Sequence, residues 1–441
     1  MAYSYKHIWN VSYPIIIGLL AQNVINVTDT AFLGHVGEVE LGASALGGIY
    51  YICWFTFFFG FSVGVQIIVS RRNGEKNYSA IGPVIIQGVI FLLFLAVVLL
   101  LLSYFFTGDI MHLMISSEAI WEVTMTYLKW RMFSFFFDLF NVMFRAFYVG
   151  VMKTKVLTIG TMVMAITNVF LDYILIFGKF VFPEMGIEGA AIASVIATFI
   201  AALFYVVYTF MTIDRKKYGF DRIQAFDFKL LKHVLGISIY TMFQYFVSMG
   251  SYFLFFVAIE RQGQQSLAIA NIARSIYVFM LMPLNALSTT TNTLVSNIIG
   301  EGRVKDVMSL VGRIACFSFF IILGCVILLC LFPKAVLSLY SNDMSLINMT
   351  VPSICILAIA LIVSSLAGPY FNCISGIGNT RVAMILELVV LLIYTILIFL
   401  TAVYWKLEVH VCFAVEIVYF VGMFIGSVLY LRFADWKKKT I

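Results

Sequence analysis

Residues 11–33 read VSYPIIIGLLAQNVINVTDTAFL. This run is long and apolar enough to cross the hydrocarbon of a bilayer, which takes about 20 residues, yet it carries a carboxylate, Asp29. A second such run, residues 157–178, LTIGTMVMAITNVFLDYILIFG, carries Asp172. A charged side chain near the bilayer centre costs about 2.5–3.5 kcal/mol on insertion scales, and such residues generally face a cavity or a partner, where they titrate or bind ions. The two acids are therefore expected to mark the working part of the chain.

The rest of the composition agrees with a membrane setting. Of 441 residues, 62% are hydrophobic and 11% charged, with a mean hydropathy of +1.02; soluble domains carry about 25% charged residues. The predicted fold is an all-α polytopic membrane protein of twelve spans. They start near Val11, Ala43, Gly82, Met125, Leu157, Ile187, Leu235, Leu267, Met308, Ile347, Val382 and Val411.

Basic residues gather on alternate connections: Lys6, Arg71, Arg72, Lys76, Lys153, Lys155, Arg215, Lys216, Lys217, Arg222, Arg303, Lys305, Arg381 and Lys437 to Lys439. The other connections hold Glu38, Glu40, Asp109, Glu118, Glu122, Glu184, Glu188, Asp343 and Glu408. By the positive-inside rule both termini are expected in the cytoplasm, with the chain in a prokaryotic plasma membrane. The formal charge of +6 then reflects orientation, and no nucleic-acid partner is expected. No cleavable signal peptide is evident, since the first apolar run lacks a small-residue cleavage site and is long enough to span. The seven cysteines have no paired metal-ligand spacing and read as core thiols.

The chain repeats itself. Lys6-His7 matches Lys232-His233, Gly74-Glu75 matches Gly300-Glu301, and Gly150, Thr154 and Val156 match Gly376, Thr380 and Val382, always 226 positions on (6 to 232). Lys155 falls on Arg381, so GVMKTKV recurs as GIGNTRV. Each half holds six spans, an even number, so the repeats are parallel and related by an axis along the membrane normal. Transporters of this kind place the substrate path between the halves. The expected division is an N-lobe over 1–213, a linker over 214–233 and a C-lobe over 234–441. At the same offset Asp29 falls on Phe255, Asp172 on Ile398, Asn168 on Tyr394 and Gln22 on Ser248, so the first lobe alone owns the acid pair.

Around that pair, Gln22, Asn26 and Asp29 are spaced i, i+4, i+7 and share a helical face. Asn168 and Asp172 are i and i+4, as are Ser194 and Thr198. Converging, these faces would offer oxygen ligands for a hard cation, or an acid pair that shares a proton. The competing reading is hydrogen-bonded glue between packed helices, for which amides and hydroxyls alone would serve. In the fourth span Arg131, Asp138 and Arg145 recur every seven residues, with structural pairing competing against a gating or substrate role; both arginines lie toward span ends and can snorkel. Glu387, Glu416 and Arg274 are second-lobe candidates, Glu387 being close enough to Arg381 to snorkel. Pro14 and Pro283 each remove a backbone hydrogen bond and favour a bend, so the first helix is a candidate switch. Aromatic faces and methionines suit an organic cation.

Several segments together resemble the multidrug and toxic compound extrusion (MATE) transporters. They are PIIIGLLAQNVINVTDTAFLGHVG (14–37), GFSVGVQIIVSRRNGEKN (60–77), FRAFYVGVMKTK (144–155) with its repeat FNCISGIGNTR (371–381), NVFLDYILIFG (168–178) and GIEGAAIASVIAT (186–198). The resemblance covers essentially the whole chain and lies nearest the DinF-type and archaeal-type branch. It implies two pseudo-symmetric six-helix bundles in a V, and efflux of cationic or amphipathic compounds against inward sodium or proton flow. It also implies an ion site at Asp29, Asn168, Asp172 and Ser194, with Gln22 nearby. Ser194 stands where that branch commonly has threonine, which keeps the oxygen. The seventh span has no carboxylate, so a NorM-type second-lobe site looks absent.

The expected function is a monomeric secondary antiporter of small organic cations, with H+ or Na+ as coupling ion and no cofactor. A flippase of lipid-linked saccharides or peptidoglycan precursor is the alternative, and would prefer a basic cavity. An enzyme is disfavoured, because the five histidines lie at termini, loops and span edges and neither H-E-x-x-H nor G-x-S-x-G occurs.

Overall fold

The computed structural model describes residues 3–115, 117–221, 226–340 and 343–437. Arg222, Lys438 and Lys439, which contributed to the predicted orientation, lie outside the described residues. Twelve helical spans account for nearly everything else, and no strand occurs among the described residues. In chain order they are α1 Tyr5–Val36, α2 Glu38–Gly74, α3 Tyr78–Met114, α4 Glu118–Gly150, α5 Lys155–Ile176, α6 Gly186–Thr212, α7 Phe228–Glu260, α8 Gln264–Gly300, α9 Val304–Leu331, α10 Met344–Ile377, α11 Thr380–Tyr404 and α12 Val409–Phe433.

All twelve predicted spans are present, and each begins earlier than its apolar run suggests. A 37-residue helix such as α2 or α8 is about 55 Å long at 1.5 Å per residue, well beyond the roughly 30 Å of hydrocarbon. The polar first turns are therefore helical as well. Where helices stop, the backbone groups are satisfied locally: the Asp343 carboxylate accepts from Ser345 N at 2.8 Å to start α10, and Gly378 ends it in the left-handed region at φ +97°, a conformation glycine adopts without strain.

The chain forms two compact units, Ile17–Met242 and Phe243–Ile441 with Met1–Ile16. Against the expected lobes, residues 1–16 join the second unit and residues 214–242 join the first. Both changes occur part-way along a helix, after Ile16 in α1 and after Met242 in α7, two positions 226 apart (16 to 242). The repeat is thus carried by the packing as well as by the sequence. In the first unit α5 packs along α6 and α2 along α4; in the second, α10 packs along α8 and α12. The core of the second unit centres on side chains such as Phe255, Tyr277, Leu361 and Phe413, with the Phe255 and Phe413 rings 4.9 Å apart.

The repeated G in GVMKTKV and GIGNTRV has a packing cause. A Cβ at Gly150 would stand 2.5 Å from Val69 Cγ1, and one at Gly376 would stand 2.7 Å from the Asn292 carbonyl oxygen. Hydrogen alone lets α4 lie on α2 and α10 lie on α8. The cysteines are core thiols only in part, since Cys373 and Cys412 are buried whereas Cys316, Cys330 and Cys355 are exposed. An apolar side chain in a bilayer has lipid as an alternative to the core, so apolarity alone did not fix burial.

Gly376→Val should therefore force α8 and α10 apart. The expected cost is about 1–3 kcal/mol, the usual range for overpacking, read as a lower midpoint of thermal denaturation of the purified protein; an unchanged midpoint would contradict the close approach.

Candidate functional site

Within the first unit, α1, α5 and α6 bring together what the helical spacing predicted. The Asp29 and Asp172 carboxyl groups face each other within interaction range. Asp172 is fully buried and Asn168, one turn earlier, is 1% exposed. The Asn168 amide donates to Ser194 Oγ on α6 at 3.5 Å, tying the α5 and α6 members together.

The acceptor side of this cluster is unbalanced. Asp29 Oδ1, both Asp172 carboxylate oxygens and Asn168 Oδ1 are buried and accept from no other group of the protein, the two carboxyl groups being close enough to share a proton. Removing a polar oxygen from water without a hydrogen bond costs about 1–3 kcal/mol by mutational measures, and an unpaired charge costs more. Four such oxygens in one place suit a positive charge supplied from outside the chain, either a proton or a hard monovalent cation. The donor set is all oxygen, and no trio of His, Cys, Asp or Glu suited to a transition metal occurs among the described residues.

Gln22 and Asn26, on the α1 face that carries Asp29, are exposed. Thr198 Oγ1 donates to the Ser194 carbonyl at 2.7 Å, and the Thr198 carbonyl accepts from Asn141 Nδ2 at 3.1 Å, so this threonine is occupied in packing α4 and α6. Pro14 lies within α1, two residues before the helix passes from one unit to the other.

Arg131, Asp138 and Arg145 all meet side chains of α2, the first two at Tyr51 and the third at Phe59. A 3-10 segment at Met132–Ser134 interrupts α4 between Arg131 and Asp138. Arg131 also does not snorkel, because the helix begins at Glu118 and leaves Arg131 near the middle of α4. Its guanidinium lies 4.0 Å from the centroid of the Tyr51 ring and donates to Ser134 Oγ at 2.6 Å. The Tyr51 hydroxyl in turn donates to Asp138 Oδ2. Arg131 is within electrostatic reach of Asp29, Asp172 and Asp138, but no ion pair among the described residues joins it to any of them. Arg145 lies instead 4.8 Å from the Phe59 ring centroid.

Tyr51, Tyr127 and Arg131 are thus part of the acid cluster that the sequence reading had left out. Tyr127 is one turn before Arg131, an i, i+4 spacing that puts both on the face turned to the acids. The second unit is built differently. Arg274 Nη1 pairs with Glu416 Oε1 at 2.7 Å, both side chains being buried, and Tyr394 donates to the same oxygen at 3.0 Å. Phe255 and Ile398, the repeat counterparts of Asp29 and Asp172, are buried in its apolar core.

The MatE family model matches residues 14–174 and 241–400, one match in each repeat. Among relatives, "Probable multidrug resistance protein NorM" of Thermotoga maritima is 23% identical over 388 residues, covering 87% of this chain and 82% of that protein. The protein of the same name in Mannheimia succiniciproducens is 30% identical over 199 residues, 45% and 43% of the two chains. Among solved structures, a multidrug resistance MATE family transporter of the MOP superfamily in an outward-facing conformation superposes with a TM-score of 0.89 at 19% identity, covering 99% of this chain and 97% of that one. A MOP superfamily transporter of Pyrococcus furiosus, for which a binding pocket of reverse polarity suggests a different function, superposes at 0.87 with 19% identity over 98% and 97%.

Glue and ion site make opposite predictions for stability. Because Asp172 has two buried oxygens without donors, Asp172→Leu should leave the melting midpoint in ion-free buffer unchanged or raise it, as removal of an unpaired buried charge does. A fall of several degrees would support the glue reading.

Proposed function

The chain belongs to the MatE family, and on that premise we propose that it exports small cationic or amphipathic organic compounds by antiport. It is a multi-pass membrane transporter and not an enzyme. The coupling ion, a proton or sodium, binds at Asp29 and Asp172 with Asn168 and Ser194 completing the oxygen set. The protein works as a monomer among lipids of the plasma membrane, with both termini in the cytoplasm. The single observation that carries the ion site is the group of four buried, donor-free oxygens on α1 and α5.

In this mechanism the ion and the cargo compete for one negative cluster. A ligand can shift an equilibrium between outward- and inward-open states only by its differential affinity for them. Filling the Asp29–Asp172 pair with positive charge changes the charge of that cluster, which is the required difference. Arg131, stacked on Tyr51, supplies a fixed positive charge within reach of three acids. Gln22 and Asn26, exposed on the α1 face that carries Asp29, are placed to meet cargo. Asp138 and Arg145 are candidate gating groups, and Pro14 gives α1 a point at which to flex.

The flippase alternative is weakened by the same electrostatics. It needs free cations for a pyrophosphate, yet Arg274 is neutralised by Glu416 and Arg131 faces acids.

Asp29→Asn and Asp172→Asn should each reduce gradient-driven efflux from proteoliposomes at least tenfold, while the proteins remain folded and monodisperse. Wild-type rates in both variants would overturn the proposal. Release of substrate in response to pH without sodium would identify the proton as the coupling ion; release that needs sodium at constant pH would identify sodium.

A further inference from the structure

Glu387 on α11 is 5% exposed and does not snorkel toward Arg381. Its Oε1 accepts from the Ser248 hydroxyl on α7 and from the Tyr419 hydroxyl on α12 at 3.2 Å, and the Gln244 side chain on α7 is within hydrogen-bonding reach. Its Oε2 has no protein partner, and neither has Gln244 Oε1. No ion pair involves Glu387 among the described residues. The contrast with Glu416 is direct: in the same unit and equally buried, Glu416 is matched by Arg274 at 2.7 Å. One acid has its countercharge built in and the other has only neutral donors.

The repeat shows where this acid sits. Moving back 226 positions, Gln244 corresponds to Gly18, Ser248 to Gln22, Glu387 to Thr161 and Tyr419 to Ala193. Gly18 and Thr161 meet in the first unit, a Cβ at Gly18 standing 3.3 Å from Thr161 Oγ1. The Gln244–Glu387 pair therefore occupies the same seam between equivalent helices as Gly18–Thr161. That seam is also the one that carries Asp29 and Asp172. Thr161 precedes Asp172 by eleven residues, about 16 Å of helix, so the second unit has its acid about three turns closer to the start of its helix.

We infer that Glu387 is the centre of a second site for a single positive charge, a proton or an alkali ion, held by Glu387 Oε2 and Gln244 Oε1 with Ser248 and Tyr419 fixing the carboxylate. A buried carboxylate without a basic partner is retained in a membrane span where charge is exchanged, and here the open oxygens are the place for that charge. The inference rests on the antiport reading for its use: the second unit would bind the same ion nearer the start of its own helix. The groups facing the site are Tyr419 from α12, and beyond it Tyr277 from α8 and Glu416 with its Arg274 and Tyr394; α7 presents Gln244 and Ser248.

The test is binding to the full-length protein in lipid, followed by infrared difference spectroscopy of carboxyl groups during pH steps without sodium and by retention of radioactive sodium at fixed pH. In Asp29→Asn/Asp172→Asn, one carboxyl band that responds to pH, or one retained sodium, is expected to survive; addition of Glu387→Gln should abolish it. A band that responds to pH alone assigns the proton, and one displaced by sodium assigns the alkali ion. Tyr419→Phe, which spares the acid, should shift that band and so reports the site even if Glu387→Gln compromises folding. If neither Glu387→Gln nor Tyr419→Phe alters any band or any retained sodium, the inference is wrong. If Glu387→Gln alone removes every response while Asp29→Asn/Asp172→Asn removes none, the second site stands and the antiport site at the aspartates falls.

Discussion

A carboxylate withdrawn from water needs a positive charge beside it, and the way this chain meets that demand sorts its in-span acids by role. Glu416 has a permanent countercharge in Arg274, and a fixed pair of this kind belongs to architecture. Asp138 accepts from Tyr51 and lies in the field of Arg131. Asp29, Asp172 and Glu387 keep oxygens with no protein donor. The cost of leaving a buried charge unmatched is several kcal/mol, which is the physical ground for proposing that these three acids exchange charge.

The scaffold around these acids follows from the bilayer. Every backbone polar group in hydrocarbon must be satisfied within its own segment, so helices are the only element available to an open chain. Their close contacts then depend on small residues, as at Gly150 and Gly376, where the repeat preserves a position because two backbones meet there.

Much of this was legible in the sequence, for reasons that differ by residue. The twelve spans are visible because hydrocarbon thickness sets a minimum apolar length. Asp29 and Asp172 stand out because an acid there is expensive, and helical spacing puts Asn168 one turn before Asp172, where it donates to Ser194. Arg131 was read as a span-end residue because the apolar run starts later than the helix, which begins at Glu118 and leaves Arg131 near its middle. Glu387 was undervalued because its partners come from α7 and α12, far away in the chain. Arg274 and Glu416 were each noticed, but only the packing of α8, α11 and α12 shows that they neutralise each other.

The passage of α1 and α7 from one unit to the other gives the connection between α6 and α7 a particular meaning. A polypeptide severed there would leave each fragment holding a helical strut that belongs to its sibling's bundle, residues 1–16 in one and 228–242 in the other.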